Sequence, residues 1–298
     1  MLVNRNNDHI HKIMAYFSIV IPAKNEAGNL RRLLATLRDR FHDAEIIVVN
    51  DGSTDDTPAV CSAHGARIVS HPYSMGNGAA IKTGARAATG DILIFMDADG
   101  QHHPEDIPRL LEKLNQGYDM VVGARSRSSQ AGVHRAMGNG IYNRLASFMI
   151  GHEVADLTSG FRAVRADKFR RFLYLLPNGF SYPTTITMAF FRSAYSVAYI
   201  PIEAATRKGT SHIHLLKDGL RFFVIILKIG ALFSPMRLFL PVSFALFVTG
   251  VSYYSYTYFM YGRFTNMSAL LFIASLLTFL IGIVSEQVSS LHYKSSNE

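Results

Sequence analysis

Cysteine occurs once in the 298 residues, at Cys61, and tryptophan does not occur at all. One thiol cannot build an internal disulfide framework, which agrees with a reducing compartment. Residues 1–15 lack the apolar run of a signal peptide and read as a polar leader. From Leu238 to Gly262, and again from Phe264 to Ser285, the chain has no charged residue. A bilayer core is crossed by about 20 apolar residues of helix, so each stretch is long enough to span. Arg263 stands between them, with room only for a tight hairpin. A pair of long core helices in a soluble protein is the other reading of such runs.

The charge that is present is unevenly placed. The net charge is +8, and residues 201–298 hold eight Lys and Arg against four acidic residues. Attraction to anionic headgroups explains this basic segment more simply than nucleic acid does, so no nucleic-acid partner is expected. Arg207, Lys208, Lys217, Arg221, Lys228 and Arg237 precede the first apolar stretch, Lys294 follows the second, and only Arg263 lies between. The positive-inside rule then predicts an integral membrane protein with the large domain and both termini in the cytosol. Gly219–Ser234 is apolar but carries Arg221 and Lys228 seven apart, on one helical face, and reads as an interfacial helix. A short third span is the alternative. The expected layout is a leader at 1–15, a catalytic domain at 16–210, an interfacial region at 211–236, two transmembrane helices at 237–290 and a tail at 291–298.

The first two-thirds alternates short apolar runs with helical patterns. Strands are predicted at Phe17–Ala23, Glu45–Asp51, Ala66–His71, Asp91–Asp99 and Asp119–Arg125, then at Thr158–Val164 and Val197–Ala204. Helices are predicted around Leu30–Leu37, at Asp55–Ala63, Gly78–Ala88, Pro104–Leu114, Arg135–Ile150 and Tyr182–Ala194. Continuous apolar strands alternating with helices imply a mainly parallel α/β sheet. Ligands bind beyond the carboxyl ends of such strands, where Asn25, Glu26, Asp51, Asp97, Asp99 and Arg125 fall.

Asp97 and Asp99 stand two apart. They end a predicted apolar strand, so their carboxylates are expected to share a face, as suits a hard cation such as Mg²⁺ or Mn²⁺ that also binds substrate phosphates. Gln101 could add a carbonyl oxygen. An Asp-Ala-Asp before glycine is also compatible with a simple turn. Asp51 closes its strand, where a carboxylate suits a ribose hydroxyl or a base N–H. Ser53, Thr54 and Asp55 are explained by helix capping. Gly76-Asn77-Gly78 at a helix start could let backbone N–H groups approach an anion. His102 and His103 do not converge on a tetrahedral metal site and are expected to edge the cleft or cap a helix.

In order and spacing, SIVIPAKNEAGNL, VNDGSTDDT and NGAAIKTGARAATGDILIFMDADGQHHPEDI resemble the inverting family-2 glycosyltransferases of the GT-A fold. Asp156-Leu157-Thr158-Ser159-Gly160-Phe161-Arg162, Arg207-Lys208-Gly209-Thr210-Ser211 and the apolar hairpin resemble, more narrowly, the polyprenyl-phosphate sugar transferases, the group that includes dolichyl-phosphate mannose synthase. The resemblance implies that Pro22, Lys24, Glu26, Asp51, Asp97 and Ala98 line the nucleotide site. It further implies that Asp97, Asp99 and Gln101 hold Mg²⁺ or Mn²⁺, and that Arg125 and Arg207 meet phosphates, with Asp99, Arg125 and Arg207 as the catalytic set. Arg135, Ser159, Arg162 and Lys208 are candidates for the acceptor phosphate. The chain departs from the family where Lys24 replaces a frequent aromatic residue, where Asn77 replaces a lysine between glycines, and where His212 replaces a lysine.

The expected reaction moves a hexose from a GDP-mannose- or UDP-glucose-type donor to dolichyl or undecaprenyl phosphate. A phosphate monoester is largely dianionic at neutral pH and needs no general base. Transfer to a membrane-lipid hydroxyl is the alternative; it needs a base, and Asp156 is its candidate. A processive polysaccharide synthase would carry a Gln-x-x-Arg-Trp motif, which a chain without tryptophan lacks. A non-enzymatic membrane scaffold would have no use for both Asp97 and Asp99. Membrane lipids are expected partners, and self-association is left open.

Overall fold

The computed structural model describes residues 17–125, 133–179, 181–203, 224, 227–228, 230–232 and 234–295. By its contacts the chain divides into two units, residues 1–143 with 154–215, and residues 144–153 with 216–298.

The first unit is built on β1 (Phe17–Ala23), β2 (Glu45–Asn50), β3 (Arg67–Ser70), β4 (Ile92–Phe95), β5 (Met120–Arg125), β6 (Arg162–Arg165) and β7 (Val197–Ile202). They form one sheet in the order β3-β2-β1-β4-β6-β5-β7. Every pairing is parallel except those of β6, which runs antiparallel to both β4 and β5. The β-branched run of β1 is buried on both faces, as a strand covered by helices on either side must be. On one face Ile19, Ile21, Ile46, Val48 and Ile94 pack with α1 (Ala27–Arg40), α2 (Thr57–Ala63) and α4 (Ile107–Asn115) in a single core cluster. α1 presents Leu30, Leu33, Leu34 and Leu37 at helical spacing, each worth about 1.5–3 kcal/mol when fully buried. On the other face α3 (Asn77–Ala87) closes against the sheet through Gly84, where a Cβ would lie 2.3 Å from Val20 Cγ1. The remaining elements of this unit include α6 (Ala166–Arg170) and α7 (Tyr182–Arg192). Between β5 and β6 runs α5 (Val133–Ile150), most of which lies in the first unit and whose last turns lie in the second.

Two differences from the expected elements matter for the site. β4 ends at Phe95, so Asp97-Ala98-Asp99 is not extended strand. Its partner β6 covers 162–165, not 158–164, and its pairing with β4 runs only as far as Phe95↔Arg162. The even-odd argument for placing both carboxylates on one face therefore does not apply, and a turn holds them.

In the second unit α8 (Pro235–Tyr261) and α9 (Asn266–Ser295) form the expected hairpin. Each is long and apolar enough to cross a membrane. Gly262 ends α8 in the left-handed conformation, its N–H bonded to the Tyr258 carbonyl. Ser243 and Ser275 each donate to the other's backbone carbonyl at 2.9 Å, so neither of these two hydroxyls is left unpaired between the helices. Glu286, the single acid of α9, accepts the Met236 N–H in the first turn of α8, where a carboxylate complements the helix dipole. The expected interfacial helix lies largely outside the described residues, as does the expected domain boundary after residue 210.

Candidate active site

The carboxyl edges of β1, β2, β3 and β4 supply four neighbouring loops, and hydrogen bonds between them explain their sequences. After β1, Asn25 takes a left-handed φ of 56°, donates its N–H to Ser53 Oγ and accepts the Thr54 N–H. Asp55 accepts the Ala27 N–H, and Thr57 Oγ1 accepts that of Glu26, so the β2 loop caps α1. Glu26 accepts from Asn29 Nδ2; Lys24 is exposed and Pro22 half-buried.

Asp51 differs from expectation. Its Oδ1 accepts from His71 Nδ1 and the Met75 N–H, and its Oδ2 from Ser74 Oγ and the Gly76 N–H, all at 2.7–2.9 Å. Burial alone would raise its pKa, but these donors hold it below the usual carboxylate range. Its four acceptor positions are taken in this structure and 5% of its surface is exposed. It fixes the His71–Gly76 loop. Gly76-Asn77-Gly78 likewise faces protein: the Gly78 and Ala79 N–H groups donate to the carbonyls of Gly179 and Asn178. Those glycines admit the 177–179 backbone, not an anion.

The turn after β4 is held by His102. Its Nδ1 accepts the Asp97 N–H at 3.2 Å, and its ring stacks on Phe161 at 5.0 Å between centroids. Burial pushes its pKa down to about 4, against the pull of Asp99 and Asp156 and with the help of Arg125, so the ring is neutral. Asp99 Oδ1 accepts the Gln101 N–H across the turn. Beneath Asp97 lies Gly160, where a Cβ would stand 2.9 Å from Asp97 Oδ2. Tyr182 donates from its hydroxyl to the Gly160 carbonyl, and Arg162 Nη2 to that of Ser159, so this floor is braced from behind.

Arg125 reaches the same place from β5. It makes a two-pronged pair with Asp156, Nε to Oδ2 at 2.8 Å and Nη2 to Oδ1 at 3.0 Å, and Nη2 also donates to Thr158 Oγ1. Burial works against the guanidinium charge, but Asp156, with Asp97 and Asp99, more than offsets it. Asp156 is 2% exposed and also accepts the N–H groups of Arg125, Thr158 and Ser159. Burial raises its pKa, and these partners together bring it below the usual value. It is an anchor for Arg125, and the candidate base of the lipid-hydroxyl alternative is thereby lost.

Two acceptor-phosphate candidates are also corrected. Arg162 is fully buried and bonded to Thr187 Oγ1 and the carbonyls of Ser159 and Pro183, because β6 carries it into the space behind the sheet. Ser159 is buried, and its hydroxyl donates to the Gly123 carbonyl at 2.6 Å. Arg135 lies on α5 with its side chain undescribed, and Arg207 and Lys208 lie outside the described residues. Tyr182 was not singled out from the sequence; His102 was expected only to edge the cleft or cap a helix, and Gly160 entered only within the Asp156–Arg162 motif. The one available signal was Gly160, a glycine directly before an apolar residue entering a strand.

Among the described residues no group of three or more His, Cys, Asp and Glu could hold a metal unaided. The Asp97 and Asp99 oxygens suit a hard cation that completes its shell with phosphate oxygens and water, and the missing Cβ of Gly160 leaves the Asp97 carboxylate its room.

Residues 18–173 match the Glycosyl transferase family 2 profile, and residues 234–291 match the GtrB C-terminal hairpin. The chain is 27% identical to Glycosyltransferase AglJ of Haloferax volcanii, over 92% of this chain and 94% of the relative. It is 30% identical to the Dolichyl-phosphate hexose transferase of the same organism, over 71% and 92% respectively. It is 36% identical to the Undecaprenyl-phosphate 4-deoxy-4-formamido-L-arabinose transferase of Klebsiella pneumoniae, but over only 50% of this chain and 48% of that one. Among solved structures it shares the fold of glucosyl-3-phosphoglycerate synthase from Mycobacterium tuberculosis, crystallised with Mn²⁺, UDP and phosphoglyceric acid. The TM-score there is 0.62, at 22% identity, over 74% of this chain and 82% of that one.

Proposed function

Because this chain belongs to glycosyl transferase family 2, we propose that it moves a hexose from a nucleoside-diphosphate sugar to a polyprenyl phosphate in the membrane. A lipid-phosphate oxygen attacks the anomeric carbon, the bond from that carbon to the diphosphate breaks, and the configuration inverts. The observation that carries this reading is the state of Asp156. It is locked to Arg125 and held below the usual carboxylate range. A hydroxyl acceptor would need a proton acceptor, whereas a phosphate monoester arrives already deprotonated. The named activities of the Haloferax and Klebsiella relatives support the same acceptor class.

Asp97 and Asp99 would hold a divalent cation, with Gln101 beside them. Such a cation, when bound, supplies positive charge to the departing diphosphate. Arg125, which feels the charge of Asp97 and Asp99, adds fixed positive charge already oriented by Asp156 and Thr158, so it needs no reorganisation as negative charge develops. His102 and Gly160 keep the acidic turn in place. Arg207, Arg135 and Lys208 remain proposed phosphate contacts. The two apolar helices anchor the enzyme where its lipid substrate resides, with the catalytic domain and both termini proposed to be cytosolic from the placement of basic residues.

The test is to incubate the purified full-length protein with UDP-glucose or GDP-mannose and Mg²⁺ or Mn²⁺, offering polyprenyl phosphate in one arm and free polyprenol or diacylglycerol in the other. Product is expected only with the phosphate. Transfer to the hydroxyl lipids alone would overturn the reading.

A further inference from the structure

The loop after β3 is built more firmly than its small contribution to the core explains. Both oxygens of Asp51 are used to hold it, through His71, Ser74, Met75 and Gly76. His71 is held in turn from its other nitrogen by Thr83 Oγ1 at 2.9 Å, and its N–H bonds the Asn50 carbonyl. Gly52, at a φ of 67°, lies so close that a Cβ there would stand 2.7 Å from the Ser74 nitrogen and 2.8 Å from the Tyr73 carbonyl carbon. Yet Tyr73, at the tip of this brace, is 67% exposed, and Met75 beside it is 39% exposed. A buried carboxylate and a left-handed glycine thus present an aromatic ring to solvent.

The place of that ring follows from strand order. The sheet runs β3-β2-β1-β4, and all four strands are parallel, so their carboxyl ends share one edge. Three strand spacings separate the end of β4, with Asp97 and Asp99, from the end of β3, with Tyr73, or about 14 Å. A nucleotide with its diphosphate at the acidic turn and its length across this edge brings its base over the β2 and β3 loops. Asp51, expected to touch the nucleoside, is saturated. A flat ring on a fixed backbone, by contrast, offers stacking with little conformational freedom left to lose.

We propose that Tyr73 is the stacking platform for the nucleobase of the donor, with Asp51 the positioning residue that holds it there. This assignment rests on the nucleoside-diphosphate donor proposed above. Stacking tolerates every base, so Tyr73 supplies affinity for the nucleoside without choosing between uracil and guanine.

The experiment titrates full-length protein in detergent, with Mn²⁺, against UDP, GDP and pyrophosphate, which has no base. Wild type, Tyr73→Ala and Tyr73→Phe are compared, with melting curves to confirm folding. Tyr73→Ala is expected to weaken nucleoside-diphosphate binding on the order of tenfold. Tyr73→Phe should bind as wild type, and pyrophosphate should bind all three proteins alike. In turnover, Tyr73→Ala should raise the donor KM and leave kcat and the acceptor KM unchanged. Unchanged nucleotide binding by a folded Tyr73→Ala protein would overturn the assignment while leaving the proposed function standing. Equal losses in the Ala and Phe variants would place the effect in the hydroxyl and overturn stacking. A wild-type protein that binds neither UDP nor GDP would remove the donor reading, and this inference with it.

Discussion

Adding one methyl group, Gly160→Ala, should separate catalysis from stability. The new Cβ would stand 2.9 Å from Asp97 Oδ2 and 3.4 Å from its Cγ and Oδ1. The backbone at 160 cannot recoil easily, because Tyr182 and Arg162 hold the carbonyls of residues 160 and 159 from behind. The Asp97 carboxylate must therefore move, by about 0.5 Å, which is the whole tolerance of a productive constellation. A misplacement of 1 Å can cost about 100-fold in rate, so half that distance corresponds to roughly tenfold. Stability should respond in the other direction or not at all, since replacing glycine by alanine stiffens the unfolded chain by about 0.4–1 kcal/mol. The assay is a Mn²⁺ titration of sugar transfer beside a melting curve. We expect the rate at saturating Mn²⁺ to fall roughly tenfold and the half-saturating Mn²⁺ concentration to rise, at an unchanged or slightly higher melting temperature. An unaltered metal titration would refute the placement of Asp97 at the metal, and a melting temperature falling with activity would refute the claim that only the carboxylate yields.

Three other perturbations follow from contacts described above. Asp156→Ala leaves Arg125 without its partner and should cost about 3–5 kcal/mol in chemical denaturation. Because the folded pKa of Asp156 is depressed, its contribution is full above the unfolded value near 3.9 and is lost as pH falls through the lower folded value, so the acid limb of the stability profile should flatten in the variant. Gly78→Ala would ordinarily favour the α3 helix by about 1 kcal/mol. Here its Cβ would fall 2.0 Å from the Pro177 carbonyl oxygen, so a lower melting temperature is expected. A double-mutant cycle of Ser243→Ala and Ser275→Ala should give a coupling of about 0.6 kcal/mol, typical of hydrogen bonds between helices in a bilayer, when unfolding is followed in mixed micelles.

Much of the fold was legible because its strands are continuous apolar runs. Phe17–Ala23 is predicted and found with the same ends, since nothing but a doubly covered strand suits FSIVIPA. The acidic turn was legible as chemistry but not as geometry. Asp97 and Asp99 read as strand by alternation, while the structure turns them on hydrogen bonds to His102 and Gln101, which sequence spacing does not encode. Arg162 was misread because a guanidinium ordinarily seeks solvent. Its burial depends on β6 inserting between β4 and β5, a pairing between residues far apart in the chain. Asp51 was misread for a related reason: its donors come from residues 71–76, and only the folded register of β2 against β3 brings them within reach.

The insertion of β6 also sets an order on the making of the molecule. In the finished sheet β5 has only β6 and β7 as neighbours, and both are later in the chain. Ribosomes add about 5–20 residues per second, so the roughly 40 residues between the ends of β5 and β6 take roughly 2–8 s to appear. Through that interval Met120, Val121 and Val122, all destined for complete burial, have no strand to join, and β4 shows an open edge. Such edges recruit other chains. The half-sheet β3-β2-β1-β4 can form first and wait as a template, but β5 cannot dock until Arg162–Arg165 has been threaded between them. The nascent chain is therefore most prone to mispairing after residue 125 and before residue 165, well ahead of the hairpin.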